Sequence, residues 1–273
     1  HRVREGWELG INTINIRKAS FEWSSFINFS HTRLRWEERF VNTFLRGWQN
    51  EHDLVSSYYV FKTDGILDGV KAIPESQPAN ARHPGSPIFV DRNGDNVIDT
   101  MDVFRINPDA KLTIGFGNTF RYKGFDLGLM FYGQVGGKAT TPAAAWSTAA
   151  DFITGGQNGV RELNEIWTTV NPTGIRPGVA YNESALALPV GTDIGLQSTD
   201  FVRCRNITLG YTIQSGHLTR YVRNLRVYMD VQNAFIITDF KYVDPEVSVA
   251  SVKGGPAPYP MARIFSFGLN ANF

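Results

Sequence analysis

Apolar and polar residues alternate strictly near the end of the chain. From Phe265 to Phe273 every second residue is apolar, and the residues between them are serine, glycine and asparagine. Successive side chains of an extended chain point to opposite faces, so this segment predicts a β-strand with one apolar and one small, polar face. A strand of this kind is typical of a barrel wall between lipid and a water-filled lumen.

The same alternation recurs upstream, with a period of two and not the 3.6 of a helix. It predicts strands near 5–17, 20–33, 111–122, 125–136, 200–213, 224–235 and 262–273. In the fifth of these, the pattern predicts Phe201 on the apolar face and Cys204 on the polar face. In the first strand, strict alternation would place Ile14 and Ile16 on the face opposite Trp7, so the apolar pattern is interrupted there.

The connections between these strands alternate between short and long. Short links lie at 18–19, 123–124 and 214–223, and long ones run through 34–110, 137–199 and 236–261. This asymmetry is typical of an outer-membrane barrel with tight periplasmic turns and large external loops. Because open strand edges in lipid would leave backbone groups unpaired, we expect further strands from polypeptide that precedes His1.

Composition and charge exclude only a few classes of function. The chain has 27 Lys and Arg against 26 Asp and Glu, which indicates neither nucleic-acid binding nor disorder. It contains no run of about 18 apolar residues, as a helical span would need. Cys204, the lone cysteine, cannot form an intrachain disulfide and is expected to be a small packed side chain. The strands of a secreted β-sandwich also alternate apolar and polar residues, but its connections are commonly much shorter than the long ones in this chain.

Several segments resemble the C-terminal part of SusC/RagA-type TonB-linked outer-membrane transporters of Bacteroidota, and they occur in that family's order. They are Tyr59–Gly65, Phe89–Asp99, Gly115–Leu127, Arg205–Tyr211, Leu225–Phe235, Asp244–Glu246 and the terminal Phe273. One departure is Asn96, where the family usually has glycine. Together these segments cover most of the chain.

The resemblance implies an all-β fold, namely the last strands of a transmembrane antiparallel barrel of about 22 strands with long extracellular loops. Residues 1–273 would be the C-terminal portion of that barrel, and a plug and the first strands would precede them. The resemblance further implies TonB-dependent import of oligosaccharides or peptides across the outer membrane, together with a SusD-like surface lipoprotein and the TonB–ExbB–ExbD energy system. Lipid would surround the barrel, and neither nucleic-acid binding nor enzymatic activity is expected.

A loop rich in carboxylates resembles an EF-hand calcium loop. Oxygen donors occupy loop positions 1, 3, 5, 9 and 12, with a backbone carbonyl at position 7: Asp91, Asn93, Asp95, Asp99, Asp102 and the carbonyl of Val97. Asn96 stands where the sharp turn requires glycine, but asparagine adopts left-handed conformations more readily than most residues. The sequence predicts a structural Ca²⁺, and the alternative is a polar loop of Asx turns without metal. No other cofactor is indicated.

The strand near 224–235 predicts which residues face the lumen. Arg226, Asp230 and Gln232 fall on its polar face, where they would contact plug or solute. The residues that alternate with them, Leu225, Val227 and Met229, would meet lipid.

Three functional hypotheses follow. The first is import of a nutrient through the barrel. The alternative is a structural or adhesive barrel subunit of a secretion or surface-attachment complex, whose loops bind partner proteins. A third hypothesis pairs Asp244 and Glu246 for glycoside hydrolysis, but two positions on one Asp-Pro-Glu turn are not expected to flank a scissile bond.

Overall fold

An antiparallel sheet of seven long strands dominates this computed structural model. The structure describes residues 1–39, 46–140, 161–180, 186, 188–213, 222, 224–241, 244–246 and 260–272. Its strands are β1 (Arg2–Lys18), β2 (Phe21–Trp36), β3 (Tyr58–Phe61), β4 (Thr63–Ile66), β5 (Pro87–Phe89), β6 (Val103–Ile106), β7 (Leu112–Tyr122), β8 (Phe125–Val135), β9 (Lys138–Thr140), β10 (Leu196–Ser198), β11 (Phe201–Ile213), β12 (Asn224–Thr238) and β13 (Ile264–Asn272). Short 3₁₀ helices lie at Ala79–Ala81 and Arg161–Glu165. Among the described residues, no helix is long and apolar enough to cross a membrane.

The long strands follow one another in the sheet in the order β1-β2-β7-β8-β11-β12-β13. Every neighbouring pair is antiparallel. The seven predicted strands are therefore confirmed, with small differences at their ends. β1 begins at Arg2 and not at residue 5, and β12 continues to Thr238 and not to 235.

The strand register gives the sheet one apolar and one polar face. Directly paired residues share a face, and one row of them crosses all seven strands: Ile16, Trp23, Phe120, Leu127, Leu209, Met229 and Phe267. The adjacent row, on the other face, is Ile14, Ser24, Thr119, Gly128, Thr208, Asp230 and Ser266. We call these the apolar face and the polar face. Large side chains on the apolar face are exposed, most of all near the end of the chain, where Phe267 is 79% exposed.

β-bulges in β1 and β11 shift the alternation, and the one in β11 corrects the sequence prediction. In β11 the register shifts between Cys204 and Asn206. Cys204 pairs with Phe131 on the apolar face, whereas Phe201 pairs with Gln134 on the polar face. The predicted faces of Cys204 and Phe201 are both wrong, because the extra residue in the bulge reverses the side-chain phase beyond it.

A bulge in β1 explains the broken phase that the sequence shows there. The register shifts between Ile14, which pairs with Ser24, and Ile16, which pairs with Trp23. One residue is inserted between them, so Ile14 lies on the polar face and Ile16 returns to the apolar face.

Tight hairpins join neighbouring long strands at one end of the sheet. β7 and β8 are connected by Lys123 and Gly124, whose φ angles of 46° and 91° are those of a type I′ turn. Lys18 pairs with Phe21, so β1 and β2 are connected by two residues. These short links were predicted, and the 214–223 link lies outside the described residues except for residue 222.

The main cluster of buried apolar side chains lies in the long connections, and Phe201 and Cys204 of β11 are also buried. Phe61, Ala81, Phe89, Val103 and Leu186 form one cluster, in which the first four come from the first long connection and Leu186 comes from the second. Three small two-stranded sheets, β3–β6, β4–β5 and β9–β10, support this region. The connections therefore pack on one another at the end of the sheet opposite the hairpins.

Candidate functional site

An ion pair crosses the polar face from β12 to β8. Arg226 Nε donates to Asp126 Oδ1 at 2.9 Å, and Arg226 Nη2 donates to Asp126 Oδ2. The pair passes over Gly210 of β11, the strand between them. A Cβ at Gly210 would lie 2.5 Å from Asp126 Oδ1, so a larger residue there would push the ends of the paired side chains away from their present positions.

A second polar cluster lies further along the same face. Asp230 is 9% exposed, and its Oδ1 accepts hydrogen bonds of 2.6 Å from Asn206 Nδ2 and Thr208 Oγ1. Thr208 and Asp230 are direct neighbours across β11 and β12. These bonds satisfy a carboxylate that would otherwise be costly to bury.

Tyr228 lies along the polar face between the two clusters. A Cβ at its neighbour Gly268 would lie 2.5 Å from Tyr228 Oη, so the ring covers the glycine. The Arg226 guanidinium is 4.9 Å from the centre of the Tyr228 ring, within the range of a cation–π contact. The larger side chains here lie against the sheet and do not project from it.

The three residues predicted to line a lumen share one face in the structure. Arg226, Asp230 and Gln232 are on the polar face, while Leu225, Val227 and Met229 are on the apolar face. The sequence did not identify Asp126, Asn206 and Thr208 as their partners, because these lie on other strands and only the register brings them together. That the polar face lines a lumen stays a prediction.

A buried charge network ties the third long connection to β11. Arg203 Nη2 donates to both carboxylate oxygens of Asp244, at 2.7 and 2.8 Å, and Arg203 Nε donates to Glu246. Arg205 Nη2 also donates to Glu246. Both carboxylates are therefore engaged by arginines. This does not match an acid and a base that face a cleft, as the glycoside hydrolase hypothesis requires.

A hydrogen-bonded carboxylate also orders the first long connection. Asp53 is 2% exposed and accepts hydrogen bonds from Tyr59 Oη and Arg105 Nη1, and from the backbone N–H of Asn50 at 3.0 Å. Burial alone would raise the pKa of Asp53, but these donors outweigh it and hold the pKa below its ordinary value. Burial and the neighbouring carboxylate raise the pKa of Tyr59.

Hydrogen bonds from backbone N–H groups to carboxylate oxygens hold the predicted calcium loop closed. Asp91 accepts from Gly94 and Asn96, and Asp102 accepts from Arg92 and Asp99. Asn96 has φ of 65°, so it takes the left-handed conformation that the turn requires. The described residues contain no group of three or more His, Cys, Asp and Glu side chains that could hold a metal ion. Metal binding by Asp91, Asn93, Asp95, Val97, Asp99 and Asp102 stays a prediction.

Comparison of the sequence with curated proteins finds relatives along nearly the whole chain. It is 27% identical to TonB-dependent receptor P3 of Formosa agariphila and 30% identical to TonB-dependent receptor SusC of Bacteroides thetaiotaomicron, in each case over 98% of the chain. The chain spans only 28% and 26% of the length of these relatives. No protein-family model matches.

Comparison with solved structures finds the same fold. The structure of the RagAB peptide transporter matches 99% of this chain with a TM-score of 0.70 and 19% identity, and the chain covers 29% of that protein. The RagAB peptide importer in its open-open state matches with a TM-score of 0.68 and 18% identity, and the chain covers 28% of it. At this level of identity the structures establish the fold alone.

Proposed function

Because the chain belongs to the SusC/RagA-type TonB-dependent receptors, we propose that it forms part of a barrel wall through which a nutrient crosses the outer membrane. TonB-dependent receptors and RagAB are outer-membrane β-barrel proteins. The related proteins are receptors and importers and not enzymes, so we assign no catalytic residue.

The observation that carries this proposal is the two-faced sheet. One row of apolar side chains crosses seven strands without interruption, and the adjacent row holds small and polar groups in all but one position. Lipid would meet the first row and the wet lumen the second. In lipid both outer strands need partners, because unpaired backbone groups there are costly. We therefore propose that residues 1–273 form the C-terminal portion of a larger barrel.

The partners belong to the same proposal. A SusD-like surface lipoprotein would cover the extracellular end, where the long connections pack together. The TonB–ExbB–ExbD system would supply the energy through parts of the protein outside these residues. The solute would be an oligosaccharide or a peptide. The SusC and RagAB relatives support both the lipoprotein partner and a transported solute.

Uptake in cells tests the proposed function. We expect that deletion of the gene abolishes uptake of a fluorescent peptide or oligosaccharide, and that the full-length gene restores it only while TonB is present. Unchanged uptake in the deletion strain across both solute classes would contradict the proposal. Loss of surface attachment with intact uptake would instead support the adhesive alternative.

A further inference from the structure

The apolar face of β1 and β2 becomes charged toward the ends of these strands that lie away from their hairpin. In that direction the residue pairs on this face are Leu9–Phe29, Trp7–His31, Glu5–Arg33 and Val3–Arg35. β2 covers 11 residues from Phe21 to His31, which is about the length that a tilted strand needs to cross the hydrocarbon layer. The charged pairs therefore lie where the two strands would leave that layer.

A tryptophan lies at this boundary. The Trp7 side chain is 52% exposed, and its ring centre is 6.3 Å from that of His31. Barrel walls have aromatic side chains at the level of the lipid headgroups, because an indole ring is apolar with one polar N–H. Residues beyond Trp7 on this face would thus lie at headgroup level.

A cavity of about 320 Å³ adjoins the charged pairs. The first long connection closes it, since Leu54 pairs with Arg35 and so lies on the same face of the sheet. The residue before β7 forms another part of the wall, because His31 Nδ1 donates to the Lys111 carbonyl oxygen at 2.6 Å. The volume falls within the range of small-ligand pockets.

The lining of this cavity is basic. Within the described residues it carries four permanent positive charges and one negative charge: Arg33, Arg35, Arg105, Lys111 and Asp109. Outside the lining, Glu5 is shared by two of the arginines, and Asp53 pairs with the third. With these two carboxylates included, one positive charge remains in excess, and His31 and His52 add to it when they are protonated.

The cations at the mouth of the cavity are only partly neutralised. Arg33 Nε donates to Glu5 Oε1 at 2.5 Å, and Arg35 Nε lies 3.4 Å from the same oxygen, so two guanidinium groups share one carboxylate. The Arg33 side chain is 53% exposed. Lys111 is exposed, and its ammonium forms no ion pair with a described residue. These groups can accept a further anion.

The position of the cavity indicates which anion it meets. It adjoins the apolar face, whereas Arg226 and Asp230 lie on the polar face, so a solute in the lumen would not reach it. Guanidinium groups bind phosphate through paired hydrogen bonds, and an ammonium adds a point charge. Basic side chains beside a lipid-facing surface attract anionic headgroups, each by about 1 kcal/mol.

We propose that this basic cavity holds the phosphorylated headgroup of a lipid of the outer leaflet, while the acyl chains lie along the apolar side chains of β1 and β2. The proposal rests on the proposed function, because it takes the apolar face as the lipid face and the long connections as extracellular. It adds a lipid site on the outside of the wall, separate from the solute path.

Lipid binding to the purified full-length protein in neutral detergent tests this proposal. The probes are lipid A, which is an acylated and phosphorylated glucosamine disaccharide, and the same lipid after its phosphates have been removed. Native mass spectrometry counts the lipids bound at each concentration. We expect one lipid A to bind at least about tenfold more tightly than the dephosphorylated lipid. Equal affinity for the two lipids would overturn the proposal.

A charge-removing variant locates the site. We expect Arg33→Gln/Arg35→Gln/Lys111→Gln to weaken lipid A binding at least about tenfold. The control Arg17→Gln/Arg121→Gln/Lys123→Gln removes three exposed charges at the hairpin end of the sheet and should bind like the parent protein. An equal loss in both variants would overturn the assignment.

A single substitution serves if the triple variant does not fold. Lys111→Gln removes no ion pair seen among the described residues and should weaken lipid A binding about fivefold. Unchanged binding in this variant would count against the cavity. Inorganic phosphate alone is the last probe, and if it binds as tightly as lipid A, the cavity is a site for free phosphate and the lipid proposal falls.

The import function can fail independently of this site. If deletion of the gene abolishes uptake but the triple variant binds lipid A like the parent protein, import stands and the lipid site falls. If lipid A binds and the triple variant loses it, but deletion leaves uptake unchanged, the lipid site stands and the import proposal falls.

Discussion

Arg203 holds Asp244 through two hydrogen bonds from one nitrogen, at 2.7 and 2.8 Å, with both side chains at most 5% exposed. The contact joins β11, beside its bulge, to a turn of the third long connection. The stability of that connection therefore depends on a charge pair with very little access to water.

Replacing Arg203 with leucine should destabilise the protein strongly. The change leaves Asp244 and Glu246 buried near each other without this donor, and removing one partner of a buried pair costs about 3–5 kcal/mol. Urea unfolding of the full-length protein in detergent measures the difference. The control is Arg121→Leu, whose ion pair with Glu22 is largely exposed and should contribute less than about 1 kcal/mol. Equal effects of the two substitutions would contradict this assignment.

Adding one methyl group at Gly210 should separate Arg226 from Asp126. A Cβ there would overlap the ends of both side chains, which can move, so the loss of stability should not exceed the contribution of a partly exposed ion pair, about 1 kcal/mol. Gly115→Ala is the matched control, because a Cβ at Gly115 meets nothing within 4 Å. Unfolding experiments should show a loss for Gly210→Ala only, and no difference between the variants would contradict a stabilising contribution of the pair.

The first long connection should loosen in acid. The pKa of folded Asp53 lies below its ordinary value of 3.8, so the stability it contributes is present above that value and is lost as the pH falls through the folded pKa. Limited acid-protease digestion of the connection should therefore accelerate as the pH falls below about 4. Asp53→Asn should remove most of this pH dependence, and an unchanged profile in the variant would assign the effect to another group.

We expect calcium to bind the loop that contains Asp91. On binding, the carboxylate oxygens that now accept hydrogen bonds from backbone N–H groups would turn toward the ion. Calorimetry of the full-length protein should then show one site with a Kd of roughly 0.1–1 mM, as in extracellular calcium modules. Asp91→Asn combined with Asp95→Asn should abolish the site, whereas Asp68→Asn should not affect it. No binding at millimolar Ca²⁺ would leave this loop as a set of Asx turns.

The sequence predicted the strands well because each strand has apolar side chains at every second position, and these side chains must lie on one face of the sheet. It could not predict the two bulges, since one inserted residue near Asn206 or Ile14 changes the phase without changing the local composition. Nor could it find the partners of Arg226 and Asp230. Asp126 lies 100 residues from Arg226 in the chain, and only the strand register makes them neighbours.

Whether lipid meets the apolar face and water the polar face is tested most directly by the accessibility of two adjacent residues on opposite faces of β13. Spin labels are attached to Ser266→Cys and to Phe267→Cys in the full-length protein, each in a Cys204→Ser background, in lipid vesicles. We expect that the label at 267 is relaxed by oxygen dissolved in lipid, and that the label at 266 is relaxed by a water-soluble nickel complex. Labels that both respond to the nickel complex, or that respond in the reverse order, would contradict a wall with lipid on its apolar face.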